Sequence, residues 1–338
     1  MINKIHNMDC IEGMKMLPDN SVDLTVTSPP YDDLRKYNGF SWDFEAVARE
    51  LYRVTKDGGV VVWVVGDKTV NGSETGTAFK QALYFKECGF NLHDTMIFEK
   101  NNPVPQADKT RYTQSFEFMF VFSKGKPKTV NRIMTECQHI GKVHFGKNKL
   151  NDENCDRRID RAVKPTKPLK NIWRYNVGIN QSSKDAIASK HPAIFPEQLV
   201  TDHILSWSNE GDIVLDPFMG SGTTAKMALL NNRNYIGFEI SKEYCEIAEA
   251  RLKIHKESGM KTYTFIVEGK ATRTIPISDF EIMQLVAGGG VIAYDHGVIV
   301  EFFDKDEAIK AKECVEAKGI KVLSDIVESD NPNYVEVK

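Results

Sequence analysis

The chain has 338 residues, 41% hydrophobic and 27% charged, which is a globular composition for one large or two modest domains. No uninterrupted apolar run reaches membrane-spanning length, and Met1-Ile2-Asn3-Lys4-Ile5-His6 lacks the apolar core of a secretion signal. The six cysteines form no Cys-x-x-Cys pair and read as reduced thiols of a cytoplasmic protein; the net charge of -3 informs only once divided by segment.

In chain order, residues 1 to 20 read as a short strand and a helix closing near Leu17-Pro18-Asp19-Asn20, with Asp9 at the helix start, a common capping position. Val22-Asp23-Leu24-Thr25-Val26 is short, apolar and rich in β-branched residues, as in a buried parallel strand. It must end at Thr27-Ser28-Pro29-Pro30-Tyr31, because two prolines lack an N–H and fix φ. The result is a stiff turn carrying a hydroxyl, free carbonyls and an aromatic ring. Loops at the carboxyl ends of parallel strands are where open α/β sheets place their chemistry. Such a platform suits a flat base with an exocyclic amine, although alone the same residues also make an ordinary strand-terminating turn.

The polar loop Asp32 to Gly39 follows, with Arg35 and Lys36 placed to meet phosphates if it closes over an extruded nucleotide. Phe44 to Val54 is an amphipathic helix, expected to stop at the C-cap glycines Gly58 and Gly59. Val60 to Gly66 is a near-continuous apolar run, as in a central strand covered on both faces. A helix at 77–88 and a strand at 92–99 continue the alternation. Ser115 to Phe122 reads as the last sheet strand, its Phe at every second position forming a core stripe.

From Lys124 to Arg174 the composition changes, with fourteen Lys and Arg against five acids and little apolar periodicity. Such a basic stretch suits contacts that track phosphates, with Lys147, Lys149, Arg157 and Arg158 as candidate DNA contacts, although the same composition also makes a solvated surface loop. Cys137, His139, His144 and Cys155 fit no common ligand spacing, so no metal is expected. Ile172-Trp173-Arg174-Tyr175 is a candidate strand, and a helix is expected from Glu197.

A second chemical motif follows the strand Ile213-Val214-Leu215. Asp216-Pro217-Phe218-Met219-Gly220-Ser221-Gly222-Thr223-Thr224 is a Gly-rich turn that opens a helix, the nucleotide corner of doubly wound folds. It lacks the Gly-Lys-Ser/Thr of a phosphate-binding loop. A second strand ends at Glu239, spaced to accept bonds from two ribose hydroxyls. A helix from Glu243 to Lys256 closes the sheet. Beyond 260, strand-like runs, a helix at 305–318 and a strand at 320–323 suggest a small α+β unit. Nine basic residues against fourteen acidic ones there argue against a nonspecific DNA grip and leave dimerisation or a protein partner.

In combination these motifs resemble the S-adenosylmethionine-dependent DNA amino-methyltransferases over roughly residues 4 to 255. Thr27 to Tyr31 is similar to their catalytic motif, Asp216 to Gly222 to their cofactor motif, and Lys190 to Pro196 to the segment preceding it. The catalytic motif comes first, as in the β-class; release-factor glutamine methyltransferases have the opposite order. The resemblance implies a circularly permuted Rossmann-like α/β sheet. Residues 1–123 would form the catalytic half, 124–180 the target-recognition insertion, 181–258 the cofactor half and 259–338 an accessory α+β domain.

It also implies S-adenosyl-L-methionine bound by Asp216, Phe218, Gly220, Ser221, Gly222, Thr223 and Glu239. His191 and Phe195 would line its methionine end, and Asp9 and Cys10 its adenine, although Met8 stands where the family usually has Gly. Ser28 and Pro29 would accept the two amino hydrogens of a flipped base, with Pro30 stiffening the turn and Tyr31 stacking. Ser before the prolines favours cytosine N4 over adenine N6. Double-stranded DNA is the expected substrate, with the enzyme acting as an orphan or beside a cognate restriction endonuclease. A methyltransferase for RNA or protein and a noncatalytic DNA-binding protein are the alternatives.

Overall fold

The computed structural model describes residues 1–30, 42–105, 110–141, 143–147, 158–178, 181–183, 185–191, 193–257, 262–267, 290–294, 297–302, 309, 312–313, 316 and 327–329. In chain order the first part carries β1 (Lys4–Asn7), α1 (Cys10–Lys15), β2 (Val22–Thr27), α2 (Phe44–Val54), β3 (Thr55–Val65), the small hairpin β4 (Thr69–Val70) and β5 (Ser73–Glu74), α3 (Thr77–Glu87), β6 (Asn91–Lys100) and β7 (Phe116–Ser123). Five short strands follow: β8 (Met134–Glu136), β9 (Val143–Lys147), β10 (Arg158–Ala162), β11 (Thr166–Pro168) and β12 (Ile172–Tyr175). Then come α4 (Glu197–Trp207), β13 (Ile213–Asp216), α5 (Thr223–Leu230), β14 (Asn234–Glu239) and α6 (Lys242–Glu257). The C-terminal part holds β15 (Thr262–Val267), β16 (Gly290–Tyr294), β17 (Gly297–Phe302) and β18 (Val327–Ser329).

Eight strands form one sheet in the order β1-β14-β13-β2-β3-β7-β6-β12. Every neighbouring pair is parallel except those of β7, which runs antiparallel between β3 and β6. The central strands read as apolar runs because helices cover both faces. From Val61 to Val65 no side chain of β3 is more than 1% exposed, and each such burial is worth roughly 1.5–3 kcal/mol. The Phe stripe of β7 is interior packing: Phe118 stacks on Phe120 at 5.2 Å, and Phe122 stacks on Phe85 of α3 at 4.5 Å.

Three expectations need correction. Gly58 and Gly59 do not cap α2. The helix ends at Thr55, whose φ of -68° and ψ of 130° lead straight into β3. Gly58 instead takes φ +80° inside β3, where the register against β2 jumps from Val22↔Thr55 to Leu24↔Val60. The glycine absorbs a bulge, the other common reason for a left-handed residue. The basic insertion is not uniformly irregular, since β8 pairs with β11 and β9 with β10. Strands of three to five residues are too short to leave a clear period, and β11 is exposed throughout. β7 lies inside the sheet, and β12 is the edge strand beside β6.

The chain divides into two compact units, Met1–Ala248 and Glu249–Lys338, with the division inside α6. The second unit contains a four-stranded antiparallel sheet in the order β16-β17-β15-β18. Most of the helix expected at 305–318 and the strand at 320–323 lie outside the described residues, and β18 has no counterpart in the sequence reading. Among the described residues, no helix is long and apolar enough to cross a membrane.

Candidate active site

Parallel pairing brings the carboxyl ends of β1, β14, β13 and β2 side by side, and both motifs emerge from them. β2 ends at Thr27, leaving Ser28 half-buried, Pro29 buried and Pro30 half-buried. Tyr31, Arg35 and Lys36 lie outside the described residues. On the next strand Asp216 ends β13, fully enclosed, with three donors on its carboxylate. The Thr27 hydroxyl donates to Oδ1 at 2.6 Å and the Phe218 amide to the same oxygen at 2.9 Å, while the Thr224 hydroxyl lies 2.7 Å from Oδ2. Burial pushes the Asp216 carboxyl up to about 6, opposed by the bonds from Thr27, Thr224 and Phe218. One carboxylate therefore holds the end of β2, the Gly-rich turn and the start of α5.

The turn needs its glycines. Gly220 has φ +50° and Gly222 φ +83°, a region that L side chains rarely adopt. A Cβ on Gly222 would stand 2.7 Å from the Ala248 Cβ, and one on Gly220 would stand 3.0 Å from His191 Nε2. Glu239 closes the turn from β14: its Oε2 accepts from the Gly220 amide at 2.8 Å and its Oε1 from the Ser241 amide at 2.8 Å. Burial raises its pKa, partly offset by these amide bonds. Each oxygen keeps a second lone pair, so the carboxylate can still accept from a vicinal diol. Ser221 and Thr223 are buried within the same turn.

β1 delivers Asp9 and Cys10 to this rim, since its last residue, Asn7, pairs with Glu239 and donates to the Glu239 carbonyl at 3.0 Å. Asp9 serves as N-cap of α1, its Oδ1 accepting from Ile11 and Glu12 at 2.9 and 3.2 Å. The Cys10 thiol is pushed up to about 12, chiefly by burial and then by Asp9, which favours the protonated thiol. His191 is buried, its ring edge-on to Tyr244 at 4.4 Å. Phe195 is half-buried just ahead of α4.

Sequence reasoning placed Thr27 and Thr224 within the two motifs without seeing their shared partner, and it did not single out Trp42. Trp42 packs edge-on to Phe218 at 4.8 Å and reaches Trp63 at 6.1 Å, putting an aromatic floor beneath the Gly-rich turn. Thr27 opens the first motif and Thr224 closes the second. Their common partner becomes visible only once β2 is paired with β13.

In the insertion, Lys149 and Arg157 lie outside the described residues. Lys147 and Arg158 sit directly opposite each other across the β9–β10 ladder. Cys155, of the Cys/His set without a common ligand spacing, also lies outside the described residues.

Residues 22–250 match the N6/N4 DNA methylase family. This chain belongs to that family. It is 61% identical over 253 residues to the orphan methyltransferase M.BamHII of Bacillus amyloliquefaciens, covering 72% of this chain and 95% of that protein. Among solved structures, the PvuII DNA methyltransferase (cytosine-N4-specific) superposes with a TM-score of 0.55 at 21% identity, covering 73% of this chain and 85% of that one. At that identity the likeness speaks for the α/β methyltransferase sheet alone. The putative DNA modification methylase TTHA0409 of Thermus thermophilus, solved with S-adenosyl-L-methionine, gives a TM-score of 0.51 at 26% identity, covering 74% of this chain and 93% of that one. The chain is a DNA amino-methyltransferase.

Proposed function

We propose that the protein methylates the exocyclic amine of a base flipped out of double-stranded DNA, with cytosine N4 the favoured atom and adenine N6 the alternative. The single observation that carries this reading is the hydrogen bond from Thr27 to Asp216, which fixes Ser28-Pro29-Pro30 beside the Gly-rich turn. S-adenosyl-L-methionine is the cofactor, and it supplies an electrophilic methyl on a sulfonium. The residues present fit it. Glu239 offers acceptors for the ribose diol, and Gly220 and Gly222 leave the backbone approachable. Asp216 braces the turn, with Phe218, Ser221 and Thr223 along it, Asp9 and Cys10 at the adenine side, and His191 and Phe195 at the methionine side.

The chain's own task is to hold the target amine. That nitrogen is a poor nucleophile because its lone pair is delocalised into the ring. The Ser28 hydroxyl and the Pro29 carbonyl accept its two hydrogens, drawing the nitrogen toward tetrahedral geometry and stabilising the positive charge that develops. Pro29 and Pro30 make the turn too stiff to relax away, so alignment of donor and acceptor supplies much of the rate. Ser28 favours cytosine because a neutral hydroxyl accepts one hydrogen and can donate elsewhere. The position of β2 ahead of β13 supports reading the sheet as circularly permuted, with 124–180 as the target-recognition insertion.

The test is to incubate the protein with duplex DNA and labelled cofactor, digest the product to nucleosides and identify them by mass and retention. N4-methylcytosine is expected. N6-methyladenine alone overturns the base assignment, and no methylated nucleoside overturns the function.

A further inference from the structure

We propose that Lys226 is a positioning residue for the cofactor pocket: its buried ammonium pins both ends of the segment 185–197 to α5 and thereby seats His191 against the Gly-rich turn. The inference rests on the functional reading above and adds a residue to it.

Lys226 stands in the first turn of α5, four residues beyond Gly222, and only 4% of it is exposed. Its neighbours Ala225, Met227 and Ala228 are buried apolar residues, so packing alone would be met by another apolar side chain. A charge in that place is costly to desolvate and persists only where partners compensate it. Here two carboxylates converge on it. Nζ lies 2.9 Å from Asp185 Oδ2 and 2.9 Å from Glu197 Oε1. Glu197 is the first residue of α4, and its Oε1 also accepts from the Ser183 hydroxyl at 2.7 Å. The Glu197 amide donates to the Ser182 carbonyl at 2.9 Å, closing the base of the loop.

The segment clamped in this way carries His191. That ring packs edge-on to Tyr244, and its Nε2 faces Gly220 so closely that a Cβ there would stand at 3.0 Å. The ring is therefore placed from both sides, by α6 through Tyr244 and by Lys226 through the ends of its own segment. Loss of the pin leaves Asp185 and Glu197 facing each other without the ammonium, and their repulsion favours an open segment.

The test compares Lys226→Met, which keeps an unbranched chain of similar length, with the gentler Asp185→Asn. Affinity for S-adenosylhomocysteine is read by calorimetry, methyl transfer by KM and kcat, and the cofactor-free state by hydrogen exchange over 185–197. We expect Lys226→Met to weaken S-adenosylhomocysteine binding and raise the cofactor KM about tenfold, with kcat at saturation within about twofold of wild type. Exchange over 185–197 should rise while that of β13 and β14 does not. Asp185→Asn should move the same quantities in the same direction, and it decides the matter if Lys226→Met fails to fold. A variant that melts earlier yet binds with wild-type affinity and exchanges normally over 185–197 overturns the inference, since Lys226 would then serve stability alone. A wild-type protein that neither binds S-adenosylhomocysteine nor methylates DNA overturns the functional reading and the cofactor role of Lys226 with it. The exchange arm still distinguishes that case, because it needs no cofactor.

Discussion

The Thr27 hydroxyl and the Asp216 carboxylate meet at 2.6 Å across 189 residues of sequence, joining the end of β2 to the end of β13 at the point where both turns begin. Thr25 lies two residues earlier on β2, also fully buried, yet its hydroxyl finds no hydrogen-bond partner among the described residues. The two threonines should therefore respond oppositely to the same substitution. Thr27→Val takes a donor from a buried carboxylate and should cost about 1–3 kcal/mol, with a fall in kcat as the Ser28 turn loosens. Thr25→Val removes a buried hydroxyl that nothing satisfies and should raise stability by about 1 kcal/mol. Chemical denaturation of the two variants, read beside kcat, checks the contrast. A loss for Thr25→Val would show that its hydroxyl is satisfied, and no loss for Thr27→Val would show that Asp216 does not depend on Thr27.

Gly220 is the most exacting position of the turn. A β-branched side chain there faces a left-handed backbone and the ring of His191 together, and it also disturbs the amide that Glu239 accepts from. Gly220→Val should weaken S-adenosylhomocysteine binding by on the order of a hundredfold, equivalent to roughly 3 kcal/mol. Calorimetric titration measures it, and unchanged affinity would remove Gly220 from the cofactor site.

Asp216 also sets a pH dependence whose sign is unusual for a carboxylate. Its folded pKa is raised to about 6 from the ordinary 3.8, so between these values the folded state binds more protons than the unfolded one. Stability from this group is therefore highest at low pH and falls as pH rises through that window, by on the order of 3 kcal/mol in all. Fully buried His203, lowered to about 3 by desolvation, acts in the opposite direction, losing stability as pH falls below the ordinary histidine range. Asp216→Asn separates the two. The amide can keep the network, accepting from Thr27 and Phe218 and donating to Thr224, whose own proton can turn to the Val26 carbonyl 3.2 Å away. The difference in stability between wild type and Asp216→Asn should grow in favour of the variant from pH 4 to 6.5 and then level off. A difference independent of pH would mean that Asp216 titrates normally.

Much of the central sheet was legible because its strands are continuous apolar runs and its breaks are chemically forced. Two prolines end β2, and a glycine turn follows β13. Val60 to Val65 needed no partner to be recognised as interior, and Phe44 to Val54 marked a helix by spacing alone. Asp216 and Glu239 stood out by their distance from the glycines. What stayed hidden depends on long-range pairing. No local pattern says that Thr27 and Thr224 share one carboxylate, or that Lys226 in an apolar helix meets Asp185 and Glu197. Gly58 was misread because a positive φ serves a bulge as readily as a helix cap. The ribbons β8–β11 and β9–β10 were missed because strands of three to five residues are too short for a periodic trace to stand out from the surrounding polar chain.

The insertion offers the last prediction. Between Lys124 and Arg174 fourteen basic residues face five acids, whereas beyond residue 260 nine face fourteen. Each phosphate neutralised by a Lys or Arg releases counterions, so the logarithm of the DNA affinity should fall linearly with the logarithm of salt, with a slope near -0.9 per contact. Reversing Lys147, Lys149, Arg157 and Arg158 to Glu should weaken binding and flatten that slope by roughly 3 to 4. Lys147 and Arg158 are register partners across the β9–β10 ladder, so two of the four reversals fall on one cross-strand pair. Removing the chain from 260 onward should spare the slope and change the oligomeric state instead. Fluorescence anisotropy with a labelled duplex over a salt series, beside sedimentation of both proteins, reads every one of these quantities. A slope untouched by the four reversals would move the DNA contacts to another part of the chain.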